Sequence, residues 1–307
     1  MENRFELVSE SRTVHQVEKL AEGNSHHDSY FKMLAKRFLK HKMAVIGVVI
    51  FTLLILMAIL APVIATHHPA EVTADFEAPP SADYWLGTDE VGRDVFSRLV
   101  YGAQVSIIVG VGAVLIYVLI GTVLGLVAGY FGGFIDALIM RITDIFMSFP
   151  YFMVILVIVS IIGPNVGTIT LVIGFLGWPA VCRLVRGSVL SIKEMDFVQA
   201  SISVGYSTPK ILFKQILPNV MSPILVNATF GVANAILLEA SLSFLGMGVR
   251  PPASSWGNML SQAQSLTVLS SEPWLWVPPG LMILLAVLSI NFIGDGLRDA
   301  IEGETNN

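Results

Sequence analysis

Residues 196–218 read DFVQASISVGYSTPKILFKQILP, a polar interruption between long apolar runs. Its small residues, Ala200, Ser201 and Gly205, give a low-profile surface that a groove on another protein can grip. Phe197 or Tyr206 then serves as an apolar anchor, with Lys193, Glu194 and Asp196 as a polar rim. Pro209 ends or bends this short helix, and Pro218 separates the next helix from the span that follows. A passive connection is the plainer reading, but passive connections are usually shorter, about 4–6 residues. Further along, Asn227 and Asn234 lie seven apart inside an apolar run and share one helix face. Lining a pathway and hydrogen bonding between helices fit them equally. Glu239 lies near the end of the same run, and a carboxylate in hydrocarbon costs at least about 2.5 kcal/mol, so it faces protein or water. Arg141 and Asp144, three apart, read as a structural ion pair.

Other chemistries lack their residues. A phosphate loop ends in Gly-Lys-Ser or Gly-Lys-Thr, and no lysine here follows a glycine, so the chain is not its own ATPase. The six histidines all fall outside the apolar runs, which leaves an intramembrane enzyme without a catalytic set. The pair His26 and His27 has no neighbouring ligand to complete a metal site, and no metal is expected. Cys182, the single cysteine, excludes a disulfide within the chain and reads as a small apolar residue.

These residues must be positioned by a membrane protein. The chain has 307 residues, 54% hydrophobic and 13% charged, about half the charged share of an ordinary soluble domain. Its mean hydropathy is +0.72. Residues 1–42 form a polar cytoplasmic tail that ends in an amphipathic basic helix over 31–42, and no signal peptide is expected. In FKMLAKRFLKHK, Phe31, Leu34, Phe38 and Leu39 share a face among Lys32, Lys36, Arg37 and Lys40, which suits an anionic membrane surface or a plain basic stop before a span. Six spans are predicted, at about 43–65, 100–130, 145–162, 166–185, 221–245 and 275–293, with the 191–218 segment between the fourth and fifth. Pro150 is expected to kink the third, and residues 132–144 read as a polar link. Gly121, Gly125, Gly129 and Gly133 recur every four residues and predict a helix-packing face. Trp256, Trp274 and Trp276 are expected to anchor the outer interface. Lysine and arginine concentrate on the side of both termini and the 191–218 segment, which places those in the cytoplasm.

The segment holding Gln199, Ala200, Ser201, Gly205, Leu217 and Pro218 resembles the cytoplasmic docking loop of bacterial ATP-binding-cassette importer permeases. That family's pattern is Glu-Ala-Ala, three residues, Gly, nine residues, then aliphatic-x-Leu-Pro. Gln199, Ser201 and Gln215 depart from it, so a role that needs a carboxylate at 199 is not implied. The segments LGTDEVGRDVFSRLVYGAQVS (86–106), EASLSFLGMGVRPPASSWGNML (239–260) and GDGLRDAI (294–301) resemble the dipeptide/oligopeptide branch, and within it the second, C-type subunit. Glutathione- and nickel-importing relatives share them.

The resemblance implies an all-helical, type I importer permease fold with six transmembrane helices over 43–307, in a bacterial or archaeal cytoplasmic membrane. It implies a heterodimer with a homologous permease, two cytoplasmic ATPase subunits that bind the ATP and Mg, and an extracytoplasmic solute-binding protein. The substrate would be a di- or oligopeptide, with glutathione or a nickel chelate as the alternative; no nucleic acid is implied, and this chain carries no cofactor. Asp89, Arg93 and Asp94 would meet the binding protein or form a gate, against a salt bridge within the folded loop. Glu239 would contact the peptide's amino end or, the favoured reading, fix the loop it precedes. A proton-driven secondary carrier is the more distant alternative, and it would need relay carboxylates and internal repeats.

Overall fold

Within hydrocarbon every backbone polar group needs an internal partner, so the apolar runs of this chain can cross only as helices. The computed structural model describes residues 30–302; His26, His27 and the rest of the tail lie outside the described residues. It begins with α1 (Tyr30–Phe38), whose end packs on the last helix, then the first span, α2 (Lys42–Ile59), continued by the short α3 (Ala61–Ile64). His41 caps α2 by accepting from the Ala44 amide at 3.0 Å. A long loop, on the side the positive charges leave as the outer one, leads to α4 (Val95–Phe131), whose N-cap is Asp94. At 1.5 Å per residue α4 is about 55 Å long, well beyond the roughly 30 Å a span needs.

The third span is two helices rather than a kinked one. α5 (Gly133–Met147) and α6 (Tyr151–Ile162) meet at 78° across a three-residue break ending in Pro150. The predicted polar link is therefore the helix α5, whose Asp136 and Asp144 find partners on α7 (Val166–Ile192). The exposed segment follows as α8 (Asp196–Ser203) and α9 (Thr208–Ile211), then a wide π-type turn (Leu212–Ile216) that runs into α10 (Leu217–Phe244). A second outer loop folds into α11 (Trp256–Leu260) and α12 (Leu266–Ser271), and α13 (Pro273–Glu302) closes the bundle. Among the described residues five helical stretches are long and apolar enough to cross a membrane, six if the bent pair is one span. Among the described residues there is no β-strand, only an isolated bridge between Thr88 and Asp94.

The tightest joint is between α4 and α7. A β-carbon on Gly121 would stand 2.6 Å from Val181 Cβ, one on Gly125 2.7 Å from Val185 Cβ, and one on Gly129 2.7 Å from Val189 Cβ. Gly174 of α7 receives Ile116 of α4 in the same way, at 2.7 Å. Glycine under a β-branched side chain, in both directions, brings two backbones close and gains dispersion contacts along the seam. Gly133 does not extend this face: it lies past the helix end at φ +53° with open space around it. One apolar core surrounds the seam and takes in α6 and α10 (Ile155, Ile173, Leu242). A second joins α2, α4, α13 and the outer loop (Leu54, Leu99, Trp256, Ile290).

Candidate functional site

Midway along the bundle a cavity of about 650 Å³ opens between α4, α7, α10 and the α5–α6 break. Non-helical backbone at membrane depth is tolerated where it lines such a space, and Phe149 in the break does so. Asn227 and Asn234 line it together from α10. Tyr117 enters it from α4 between Gly177 and Gly231, and its hydroxyl occupies the place a β-carbon on Gly231 would take. Tyr151 also lines it and donates to the Ile173 carbonyl at 2.9 Å, fixing the start of α6 against α7. The volume falls in the range of small-ligand sites, roughly 300–1,000 Å³.

At the end of the bundle where α7 stops, the exposed segment is held by few side chains. Val198, Ile211 and Ile216 are buried in the same core as Val189 of α7. The helix α8 ends in a Schellman arrangement: the Gly205 amide donates to the Ile202 carbonyl at 2.9 Å and the Tyr206 amide to the Ser201 carbonyl at 3.1 Å. Gly205 sits at φ +82° with nothing within reach of a β-carbon, so glycine is required there by backbone conformation rather than by crowding. Gln199 donates its side-chain amide to the Lys193 carbonyl at 2.9 Å, a bond a carboxylate could not make. The Lys210 ammonium lies 3.4 Å over the Tyr206 ring. Ala200 and Pro218 are exposed, Ser201 and Leu217 half-buried. Phe197, Ile202, Val204 and Phe213 are exposed as well, Val204 at 75%. Large apolar side chains left bare on a polar segment mark an interaction surface.

The opposite end is a buried polar network. Asp89 accepts from the Val91 and Arg93 amides, from Arg93 Nε at 2.8 Å and from the Arg98 guanidinium. Arg98 also donates to Ser254 Oγ at 3.2 Å, tying the first outer loop to the second. Glu239 accepts from Ser243 Oγ at 2.7 Å and from Ser106 Oγ at 3.3 Å, while Ser106 accepts from the Trp256 amide at 3.2 Å. Trp256 Nε1 donates to the Leu99 carbonyl at 3.1 Å. Beside this network the Glu272 carboxyl is pushed up from its ordinary value by burial and then by the charge of Glu77, and its Oε2 has no partner among the described residues.

Residues 121–306 match the family described as "binding-protein-dependent transport system inner membrane component", and residues 29–80 match the "N-terminal TM domain of oligopeptide transport permease C". The chain belongs to this family of inner-membrane transport components. It is 44% identical to a putative peptide permease protein of Brucella suis over 269 residues, covering 87% of this chain and 89% of the relative. It is 44% identical to the dipeptide transport system permease protein of Alkalihalophilus pseudofirmus over 268 residues, covering 87% and 88%. With the oligopeptide transport system permease protein of Bacillus subtilis it shares 39% over 275 residues, covering 89% and 90%. Among solved structures it resembles a chain of the MetNI methionine ABC transporter in inward-facing conformations, with a TM-score of 0.54 at 18% identity. That match covers 66% of this chain and 96% of the other, a likeness of fold.

Within this permease the structure gathers some of the residues singled out from sequence and separates others. Asn227 and Asn234 share the cavity; Glu239 is absent from its lining and sits wholly buried in the outer network. Asp89 and Asp94 are also buried, and Arg93 turns its guanidinium onto Asp89, so these side chains fasten the loop. Asp144 pairs across to Arg183 of α7 at 2.5 Å rather than with Arg141, since a partner on a packed neighbour outcompetes a local one. Trp256 is fully buried instead of lying at an interface, because the second outer loop folds back onto α4 and α13. Tyr117 and Tyr151 escaped notice as aromatic residues inside apolar runs; the glycines at 177 and 231 that accommodate Tyr117 were the available signal.

Proposed function

We propose that this chain is one of two membrane-spanning subunits of an ATP-driven importer of di- and oligopeptides, and that it performs no covalent chemistry itself. The observation that carries this reading is one of continuity. The two helices that supply most of the cavity wall, α7 and α10, are the two that flank the exposed segment 193–216. A displacement of that segment reaches the cavity through continuous helix at both ends. The peptide substrate follows from what the relatives are named for.

On this reading an ATPase subunit grips Phe197, Gln199, Ala200, Ser201, Gly205, Tyr206, Leu217 and Pro218 from the cytoplasm, with Val204 and Phe213 supplying apolar contact. ATP and Mg bind the ATPase subunits, a homologous permease completes the pathway opposite Asn227 and Asn234, and a solute-binding protein delivers peptide to the outer end. Closure of the ATPases pulls the docking segment and turns the cavity outward; hydrolysis resets it, two discrete states biased by ligand. Lysine and arginine placement supports a cytoplasmic position for both termini and the docking segment.

The test is ATP-dependent uptake of labelled di- to pentapeptides by proteoliposomes holding the whole complex with its binding protein. Val204→Glu and Phe213→Glu, both on exposed side chains, are compared with the unaltered chain. Uptake by the unaltered complex and its loss by about tenfold or more in both variants is expected, as for desolvated anchors worth about 2 kcal/mol each. Unchanged uptake in the variants would remove the docking assignment. Absence of peptide uptake in the unaltered complex would remove the cargo.

A further inference from the structure

The lining face of the cavity continues toward the docking segment. On α7 it runs through Leu176, Gly177 and Ala180, and the next residue on that face is Arg183. On α5 it includes Met147, and one turn back on that face is Asp144. The two meet: Arg183 Nη2 lies 2.5 Å from Asp144 Oδ1. Gly187, one turn further along α7, faces open space. An ion pair therefore stands one turn beyond the cavity lining, a position that would be its mouth toward the exposed segment, with both side chains about half exposed on this chain, 46% and 52%.

A second pair nearby sets the contrast. Arg186 and Asp136 join the same two helices with two hydrogen bonds, and their side chains are 30% and 17% exposed. That is the bidentate, largely covered geometry of a structural clamp. The Arg183 pair uses one of the five N–H donors of its guanidinium and one of the two oxygens of Asp144. The remaining donors and the second oxygen are left for something in the mouth. Asp136–Arg186 already clamps α5 to α7, so a further exposed pair is not needed for that purpose.

We infer that Arg183 and Asp144 form a transit site for the charged ends of the peptide, Arg183 taking the α-carboxylate and Asp144 the α-ammonium. This rests on the peptide-importer reading above. A zwitterion crossing a low-dielectric passage must lose hydration from two opposite charges. A pre-formed pair of opposite charges on separate helices exchanges partners with it: one ion pair opens, two form, and no charge is left bare at any step. Arg suits the carboxylate because its planar fork matches two oxygens. Both side chains are about half exposed, so they can part by a change of rotamer while Asp136–Arg186 keeps α5 on α7.

The experiment measures peptide imported per ATP hydrolysed in proteoliposomes of the whole complex, with the binding protein saturated by each peptide as verified by direct binding. Asp144→Asn, Arg183→Gln and the exchanged pair Asp144→Arg/Arg183→Asp are compared on one tripeptide with a free C-terminus and on its C-terminal amide. The expected result is a fall of about tenfold or more in import per ATP for Arg183→Gln on the free acid, as for one lost charge-assisted hydrogen bond, and a much smaller fall on the amide. Asp144→Asn should impair both peptides, since both carry the ammonium. Full recovery by the exchanged pair, or equal losses on acid and amide in Arg183→Gln, would overturn the inference in favour of a plain clamp. Normal import in all variants would overturn it as well, while failure of the unaltered complex to import any peptide would instead overturn the reading beneath it.

Discussion

The two ends of this permease are built on opposite plans. The outer end is fastened by buried side-chain hydrogen bonds, most of them between distant stretches of sequence: Asp89 to Arg98, Arg98 to Ser254, Ser106 to Glu239, and Trp256 to both Ser106 and Leu99. The docking end is held by three buried aliphatic side chains and its own backbone caps, and it leaves Phe197, Val204 and Phe213 bare. Polar groups buried among partners are costly to break and fix one arrangement. Apolar groups left in water are a cost that only a partner relieves. The outer end is fastened largely within this chain, and the other end, on the docking proposal, is half of an interface.

The largest effect follows from attacking the outer network. Arg98→Ala strips Asp89, fully buried, of one of its two cationic partners and Ser254 of its donor. Breaking a buried ion pair by removing one partner costs about 3–5 kcal/mol. The variant should melt far below the unaltered protein in detergent, read by the thermal midpoint of the purified permease pair. A midpoint within a degree or two of the original would mean that the outer end is looser than its hydrogen bonds indicate, and the contrast between the two ends would fail.

A substitution at the docking end should behave in the opposite sense. Gly205→Ala places a β-carbon at φ +82°, a strain of about 1–2 kcal/mol confined to the C-terminal turn of α8. Asn tolerates this conformation better than alanine, so Gly205→Asn should lie between the two. Amide exchange at Val204–Tyr206 should rise in the order Gly, Asn, Ala, with the thermal midpoint of the bundle unmoved and ATP-dependent transport falling in the same order. A bundle that melts together with this turn would show that the segment is part of the core.

How far each end could be read in advance follows the same division. The exposed segment between α7 and α10 was legible because its signals are local: a polar run, small residues, and Gly205 followed by Pro209 within a short stretch. The spans were legible because hydropathy sums over about 20 residues, and the glycine spacing of α4 already implied a close neighbour. The outer network was not. Asp89 and Ser254 are 165 positions apart, and nothing near Asp89 says that Arg98 carries both. Glu239 was half legible: burial cost required a partner, but Ser106 lies 133 positions away. Asp144 was assigned to Arg141 by the three-residue rule, and the packing of α5 on α7 overruled it. The break at 148–150 looked like a kink because Pro150 sits in an unbroken apolar run.

The smallest effect tests whether the outer end is as self-sufficient as the contrast holds. A weak point there is Glu272, buried just before α13 with Oε2 unpartnered among the described residues and the charge of Glu77 close by. Burial raises its carboxyl above the ordinary value of about 4.3, so the folded state holds the proton more tightly than the unfolded chain. Stability from this group is therefore full below the ordinary carboxylate value and is lost as pH rises through the raised one. Glu272→Gln removes the charge while keeping the shape. Thermal midpoints of the two proteins, measured from pH 4 to pH 8 at fixed salt, should converge at the acid end, with the variant the more stable at neutral pH. A constant difference across the whole range would mean that Glu272 finds a cation or water when folded.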